Sequence, residues 1–229
     1  MANQAQAISE SIPAALPSGN VVFSPHWSNP LHTFLKRLLD VVLSTVLLLI
    51  CLPIMMVIAI GIKLDSRGPV LYQWRVVGLN GVPFRSWKLR SMCVDADQKK
   101  EQLVAHNEMQ GPVFKLQNDP RVTRLGRVLR RYSLDELPQL FSVFIGDMSL
   151  VGPRPPLQTE YEQFSERQKQ KLVVKPGISC LWQVSGRNQI RDFDDWVRLD
   201  LEYICNWSLW LDCKILWKTA TVVFRGTGR

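Results

Sequence analysis

Asp135 and Glu136 stand side by side in the run Arg130-Arg131-Tyr132-Ser133-Leu134-Asp135-Glu136-Leu137-Pro138, directly after paired arginines. One reading of the acids is local. Ser133 and Glu136 fit the S-x-x-E capping box, and acids in a first helical turn suit the helix dipole. The other reading is chemical, because a helix start is also where a phosphate binds. The two are compatible, and the cations around the pair favour an anionic ligand. Arg124, Arg127, Arg130 and Arg131 occur with no acid between them, an arrangement that repels itself unless an anion is near. Arg154, between Pro153 and Pro155-Pro156, is a guanidinium on a stiff loop, preorganised for a carboxylate or phosphate. Lys88 and Arg90 are spaced by two and share a face if they end a strand. Arg187 follows Ser185-Gly186, a weaker form of the Gly-bearing phosphate loop.

The 229-residue chain is long enough for one substantial domain with appendages, and its 28 basic against 20 acidic side chains give a net charge of +8. A pI near 9.4 points to an anionic partner: nucleic acid, a membrane surface or a phosphorylated substrate. Five cysteines, an odd number without a C-x-x-C pair, argue against a disulfide framework and fit a reducing compartment. Three histidines, with no H-E-x-x-H, make a zinc enzyme improbable.

Residues 1–30 read as a disordered leader without the basic start of a signal peptide. Val41 to Ile62 contains no charged residue; about 22 positions give roughly 33 Å of helix, the thickness of a bilayer core. Lys36 and Arg37 precede it and Lys63, Arg67 and Arg75 follow, so both ends prefer the cytoplasmic face. Pro53 removes the hydrogen bond to the Leu49 carbonyl and predicts a kink or break. A helix that dips into one leaflet and returns satisfies both observations; a tilted span and a buried soluble helix are the alternatives.

The remainder predicts an α+β domain, mainly helical, with a small β-hairpin about Asn80-Gly81. Helix is expected from about Asp95 to Met109, and a short strand around Val113 to Leu116. Leu125, Val128, Leu129 and Tyr132 form one apolar stripe of an arginine-rich helix. A further helix is expected from the paired acids to about Gly146, and two more at about 194–205 and 208–225 carry Trp196, Trp210 and Trp217, with Trp207 between them. The organisation is therefore a leader (1–30), a re-entrant membrane helix with its flanks (31–64) and a catalytic domain (65–229).

These pieces resemble a known family. The blocks KRLLDVV, WKLRSM, DPRVTRLGRVLRRYSLDELPQL, GDMSLVGPRP, KPGISCLWQVSGRN and NWSLWLD, in this order from Lys36 to about Arg225, are similar to the bacterial sugar transferases. These are the monotopic phosphoglycosyl transferases that prime exopolysaccharide, O-antigen and glycoprotein glycan assembly. The chain most resembles the short exopolysaccharide-priming members, polyprenyl-phosphate hexose-1-phosphate transferases. It departs from the family at Leu52-Pro53, where Ser-Pro is common, at Ser91 and Ser179, where threonine is common, and at Cys180, where glycine is usual.

The resemblance implies transfer of sugar-1-phosphate from a UDP-sugar to undecaprenyl phosphate in the membrane, with release of UMP and a requirement for Mg²⁺. It implies that Asp135 and Glu136 are the catalytic dyad and metal-holding acids, that Asp135 forms a covalent phosphosugar, and that the membrane helix is broken at Pro53. Lys88, Arg90, Arg130, Arg154 and Arg187 are the phosphate-binding candidates. The implied location is the bacterial inner membrane, with the catalytic domain on the cytoplasmic face. Nucleic acid is not an expected partner; a homodimer and downstream glycosyltransferases are the protein partners it admits. Direct transfer through a ternary complex is the alternative route, and a silent membrane scaffold or an anionic-lipid or nucleic-acid binding module is the alternative function.

Overall fold

A computed structural model describes residues 23–186, 189–226 and 228. The expectation of a disordered leader falls mostly on residues 1–22, outside those described, and it needs correction at its end. Pro25–Ser28 form a short helix (α1), started by the Ser24 side chain, which accepts the His26 N–H. Trp27 stacks on Trp207 at 4.0 Å and donates from Nε1 to the Ile204 carbonyl, so this segment is docked.

The Asn29 side chain then accepts the Leu31 N–H and opens helix Pro30–Asp65 (α2), with Pro30 in the first turn, where its missing N–H costs nothing. Its 36 residues are helical on both sides of Pro53. The hairpin follows as Leu71–Val77 (β1) and Pro83–Leu89 (β2), antiparallel, with Val77 opposite Pro83 and Leu71 opposite Leu89. Its turn holds Asn80 at φ 54° and Gly81 at φ 79°, left-handed values that explain the Asn-Gly pair. The predicted helix near residue 100 is Ala96–Leu103 (α3), continued by a 3₁₀ turn, Val104–His106.

Residues 113–116 form no strand; the chain there is irregular, and Asn107 ties it down by donating to the Val113 carbonyl and accepting the Lys115 N–H. The arginine helix is Arg124–Arg131 (α4), capped by the Thr123 hydroxyl, which accepts the Gly126 N–H. It is followed by Gln139–Ile145 (α5), Ser149–Val151 (β3), Gln158–Tyr161 (α6) and Glu166–Lys169 (α7). Gly177–Ser179 (β4) pairs parallel with β3. Leu181–Val184 (α8), Phe193–Asn206 (α9) and Leu209–Arg225 (α10) complete the chain. The class is α+β, with two two-stranded sheets among the described residues.

The main core gathers Val143 of α5, Met148, Val151, Trp182, Trp196, Tyr203, Ile204 and Trp207, all buried. Trp182 and Trp196 stack at 4.0 Å and 7°. Trp210 and Trp217, on the outer face of α10, are 67% and 75% exposed, so the tryptophans divide between core and surface. In α4 the apolar stripe divides likewise: Leu129 is buried and Val128 is exposed.

The placement of α2 bears on the site. Lys36, Asp40, Ser44 and Ile62 are buried, Leu48 packs on the main core, and Met55 and Ile58 pack on a second cluster of Ile62, Leu89 and Leu129. These positions are spaced by three, four or seven residues, whole helical turns, so one stripe of α2 faces the domain along the helix. Leu49, Ile50, Leu52, Val57 and Ile60 lie exposed on the other side. Polar anchors fix the first half. Arg37 donates to the Val143 and Phe144 carbonyls in the last turn of α5, and Asp40 accepts the Ser149 hydroxyl and the Leu150 N–H. Lys36 pairs with buried Asp212 of α10 at 2.7 Å and also donates to the Val151 carbonyl. The helix lies along the domain instead of standing away from it.

Candidate active site

The paired acids occupy a 3₁₀ turn, Leu134–Glu136, between α4 and α5. The capping box is not formed. Ser133 adopts φ 54°, ψ 24°, in the left-handed region, so its side chain caps nothing, and the next α-helix starts only at Gln139. A left-handed non-glycine residue is held at a cost by its surroundings, a common feature of functional loops. Backbone contacts help to hold it: the Ser133 N–H donates to the Arg130 carbonyl at 3.1 Å, and the Glu136 N–H donates back to the Ser133 carbonyl at 3.2 Å. Leu134 packs toward the cluster that includes Met55 and Ile58 of α2. The site is thereby built against the apolar helix.

Asp135 is 7% exposed. Burial pushes its carboxyl above the usual aspartate range and the neighbouring Glu136 pushes the same way, while Lys88 and Arg130 pull down. Glu136 accepts a 2.8 Å hydrogen bond from Lys88 Nζ and a 3.4 Å contact from Arg154. Lys88 is held over the Trp74 ring at 4.1 Å. Burial lowers the pKa of the Lys88 ammonium against the opposing pull of Glu136. Arg130 stands on the other side, half-buried and without an ion-pair partner among the described residues.

These groups border a cavity of about 400 Å³, a size suited to a nucleotide-sized ligand. Lys88, Arg130, Arg154, Asp135 and Glu136 all face it, and its far wall includes Trp182 and Trp196. Arg90 also borders it, but its guanidinium is committed elsewhere. It donates to the carbonyls of Arg67 and Ser66 and to the Ser66 hydroxyl, just past the end of α2. The strand ends at Leu89, so Arg90 turns toward α2 while Lys88 turns toward Glu136. Arg187 lies outside the described residues.

Trp74 was not legible as a site residue by type. With Tyr72 opposite Lys88 and Trp74 opposite Ser86, it is the diagonal cross-strand neighbour of Lys88, which the hairpin register supplies. Glu160 of α6 also borders the cavity, and no sequence signal singled it out.

Among the described residues no group of three or more His, Cys, Asp or Glu could hold a metal ion. The donors present are two carboxylates, and one oxygen of Glu136 already accepts from Lys88 and Arg154. That set fits Mg²⁺, which is commonly held by one or two carboxylates together with substrate phosphates and water, and does not fit a protein-only cage.

Comparison with known proteins supplies the context. Residues 31–226 match the family described as bacterial sugar transferase. The galactosyl transferase CpsE of Streptococcus agalactiae is 49% identical over 197 residues, covering 86% of this chain and 44% of that protein. The undecaprenyl-phosphate galactose phosphotransferase of Salmonella typhimurium is 45% identical over 199 residues, covering 85% of this chain and 41% of that protein. The exopolysaccharide production protein ExoY of Rhizobium meliloti is 39% identical over 203 residues, covering 87% of this chain and 89% of that protein. The chain thus spans less than half the length of the first two relatives and most of the third.

Proposed function

The chain belongs to the bacterial sugar transferase family, and from that premise we propose that it transfers sugar-1-phosphate from a UDP-sugar to undecaprenyl phosphate, releasing UMP and priming a polysaccharide. The observation that carries this reading is the joining of a buried Asp135, a Glu136 clamped by Lys88 and Arg154, and Arg130, which has no ion pair among the described residues, at one cavity beside an apolar helix.

In the first step a carboxylate oxygen of Asp135 bonds to the β-phosphorus of the donor. The bond from that phosphorus to the bridging oxygen breaks, and its electron pair leaves on UMP. The negative charge that opposes this attack is offset by the cations facing the cavity. Arg130 and Lys88 face Asp135, and Arg154 stands behind Glu136. The burial that raises the Asp135 pKa also makes its carboxylate more basic toward phosphorus. In the second step a phosphate oxygen of undecaprenyl phosphate attacks the same phosphorus and Asp135 leaves as free carboxylate. Mg²⁺, when bound through Asp135 and Glu136, supplies charge neutralisation for the pyrophosphate. Glu136 holds Lys88 and Arg154 in place throughout, and Arg90 fixes the end of α2 against the cavity wall, a role in position instead of phosphate contact.

The acceptor explains α2. It is apolar and long enough to cross a membrane, yet its inner stripe lies on the domain and its outer side is exposed. A helix so placed enters one leaflet and keeps the active site at headgroup level on the cytoplasmic face. The test is UMP release by the detergent-purified protein with undecaprenyl phosphate, Mg²⁺ and a panel of UDP-sugars. Release with one or two donors, lost in Asp135→Asn, supports the reading; silence across the panel from folded protein rejects it.

A further inference from the structure

Glu160 is the one acid bordering the cavity, besides the dyad, that stands next to Arg154. Its Oε2 accepts the Leu157 N–H at 3.0 Å at the start of α6, and this is the one hydrogen bond of its side chain among the described residues. Among the described residues it is in no ion pair, although Arg154, Lys100 and Lys171 act on its charge. All three of those cations border the same cavity. A half-buried carboxylate therefore borders the cavity without an ion pair among the described residues, while Lys171 is itself committed to Asp200 at 2.6 Å. Burial raises its pKa, the cost of a charge that lacks a direct partner.

We propose that Glu160, with Lys100 of the same cavity, binds hydroxyl groups of the transferred hexose and so determines which sugar is accepted. The inference rests on the donor reading given above. Its chemistry is direct: adjacent hydroxyls donate to a carboxylate and accept from an ammonium. Its position selects the hexose over the base. Arg154 reaches Glu136 on one side and acts on Glu160 on the other, so Glu160 stands one side chain beyond the dyad. The hexose is attached to the attacked phosphorus itself, whereas the base is separated from it by a second phosphate and a ribose.

Glu160→Gln is the informative variant. Glutamine at this helical position still reaches back to the Leu157 N–H, so the cap and the fold are kept while the charged acceptor is lost. Steady-state kinetics are measured for UDP-galactose, UDP-glucose and their N-acetylated counterparts, together with inhibition by UMP. The expected result is a change of about 10- to 100-fold in the ratio of kcat/KM between C4 epimers, with the UMP inhibition constant unchanged. An equal loss for all donors, or a loss matched by weakened UMP binding, overturns the inference, the latter placing Glu160 on the ribose. Wild-type protein that turns over donors while the variant keeps the same ratios removes this inference alone. Wild-type protein that turns over none removes the donor reading and this inference with it.

Discussion

Replacing Lys36 with methionine removes one charge from a buried network that ties α2 to the domain. Asp212 is 6% exposed and accepts from Lys36 at 2.7 Å, from the Tyr203 hydroxyl at 2.8 Å and from Trp207 Nε1 at 3.2 Å. Methionine retains much of the lysine volume but leaves the carboxylate with two neutral donors and no opposite charge. Breaking a buried pair from one side costs about 3–5 kcal/mol, most of it the stranded charge. In a domain of this size each kcal/mol shifts Tm by about 2–4 °C, so a fall of roughly 6–20 °C is expected. Thermal unfolding in nanodiscs, followed by tryptophan fluorescence, reads it directly, since Trp207 and Trp27 stack beside the pair. The second arm is Lys36→Met with Asp212→Asn, which removes the stranded charge and should recover at least half of the loss. A single variant within 2 °C of wild type, on the order of one kcal/mol or less, would refute the assignment of this network as the main anchor of α2.

Other predictions follow from the same geometry. Asp135→Asn should abolish turnover yet raise stability near neutral pH by about 1 kcal/mol, as relief of a functional site commonly does. The sign follows from linkage. A carboxyl whose pKa is raised on folding binds its proton more tightly in the native state, so it weakens the fold as pH rises through the folded pKa. The variant's advantage should therefore shrink as the pH falls from the raised folded pKa toward the ordinary carboxylate range and be gone below it; an advantage that grows on acidification would contradict the burial of Asp135. Glu136→Gln takes away the charge that supports protonation of Lys88. Any residual activity should show its alkaline limb at lower pH and a weaker Mg²⁺ response, and a pH profile identical to wild type would count against the Lys88 clamp. Gly126→Ala would drive a Cβ into the Ser91 carbonyl oxygen, pushing α4 and its Arg130 off the end of β2. A loss of about 1–3 kcal/mol together with most of the activity is expected, measured by denaturation and UMP release.

The sequence carried the parts of this site whose signal is local. The arginine helix, the Asn-Gly hairpin and the two C-terminal helices appear close to their expected bounds, because periodicity and turn chemistry act over a few residues, whereas the apolar segment lies inside a longer helix that starts at Pro30. Acids, arginines and prolines marked Asp135, Glu136, Arg130 and Arg154 by type, and the cavity brings them together. What stayed hidden was set by tertiary contact. Ser133 looked like a cap, yet the turn out of α4 forces it left-handed and leaves the acids in a 3₁₀ turn. Arg90 looked like a partner of Lys88, but the strand stops one residue earlier and the exposed carbonyls past α2 claim it. β3 and β4 are three residues each, too short to alternate, and their pairing depends on a connection through α6 and α7. Glu160 sat in a polar helical stretch whose composition is that of an ordinary surface.

The central claim is that Asp135 becomes covalently phosphorylated by the sugar-phosphate, and a trapping experiment tests it most directly. The protein is incubated with Mg²⁺ and a UDP-sugar it turns over, radiolabelled in the β-phosphate, without acceptor; it is then quenched and digested. The account predicts label on the peptide containing Asp135, absent in Asp135→Asn and discharged when undecaprenyl phosphate is added before the quench. Turnover without any labelled protein, or label that persists in Asp135→Asn, would contradict it and favour direct transfer between the two substrates.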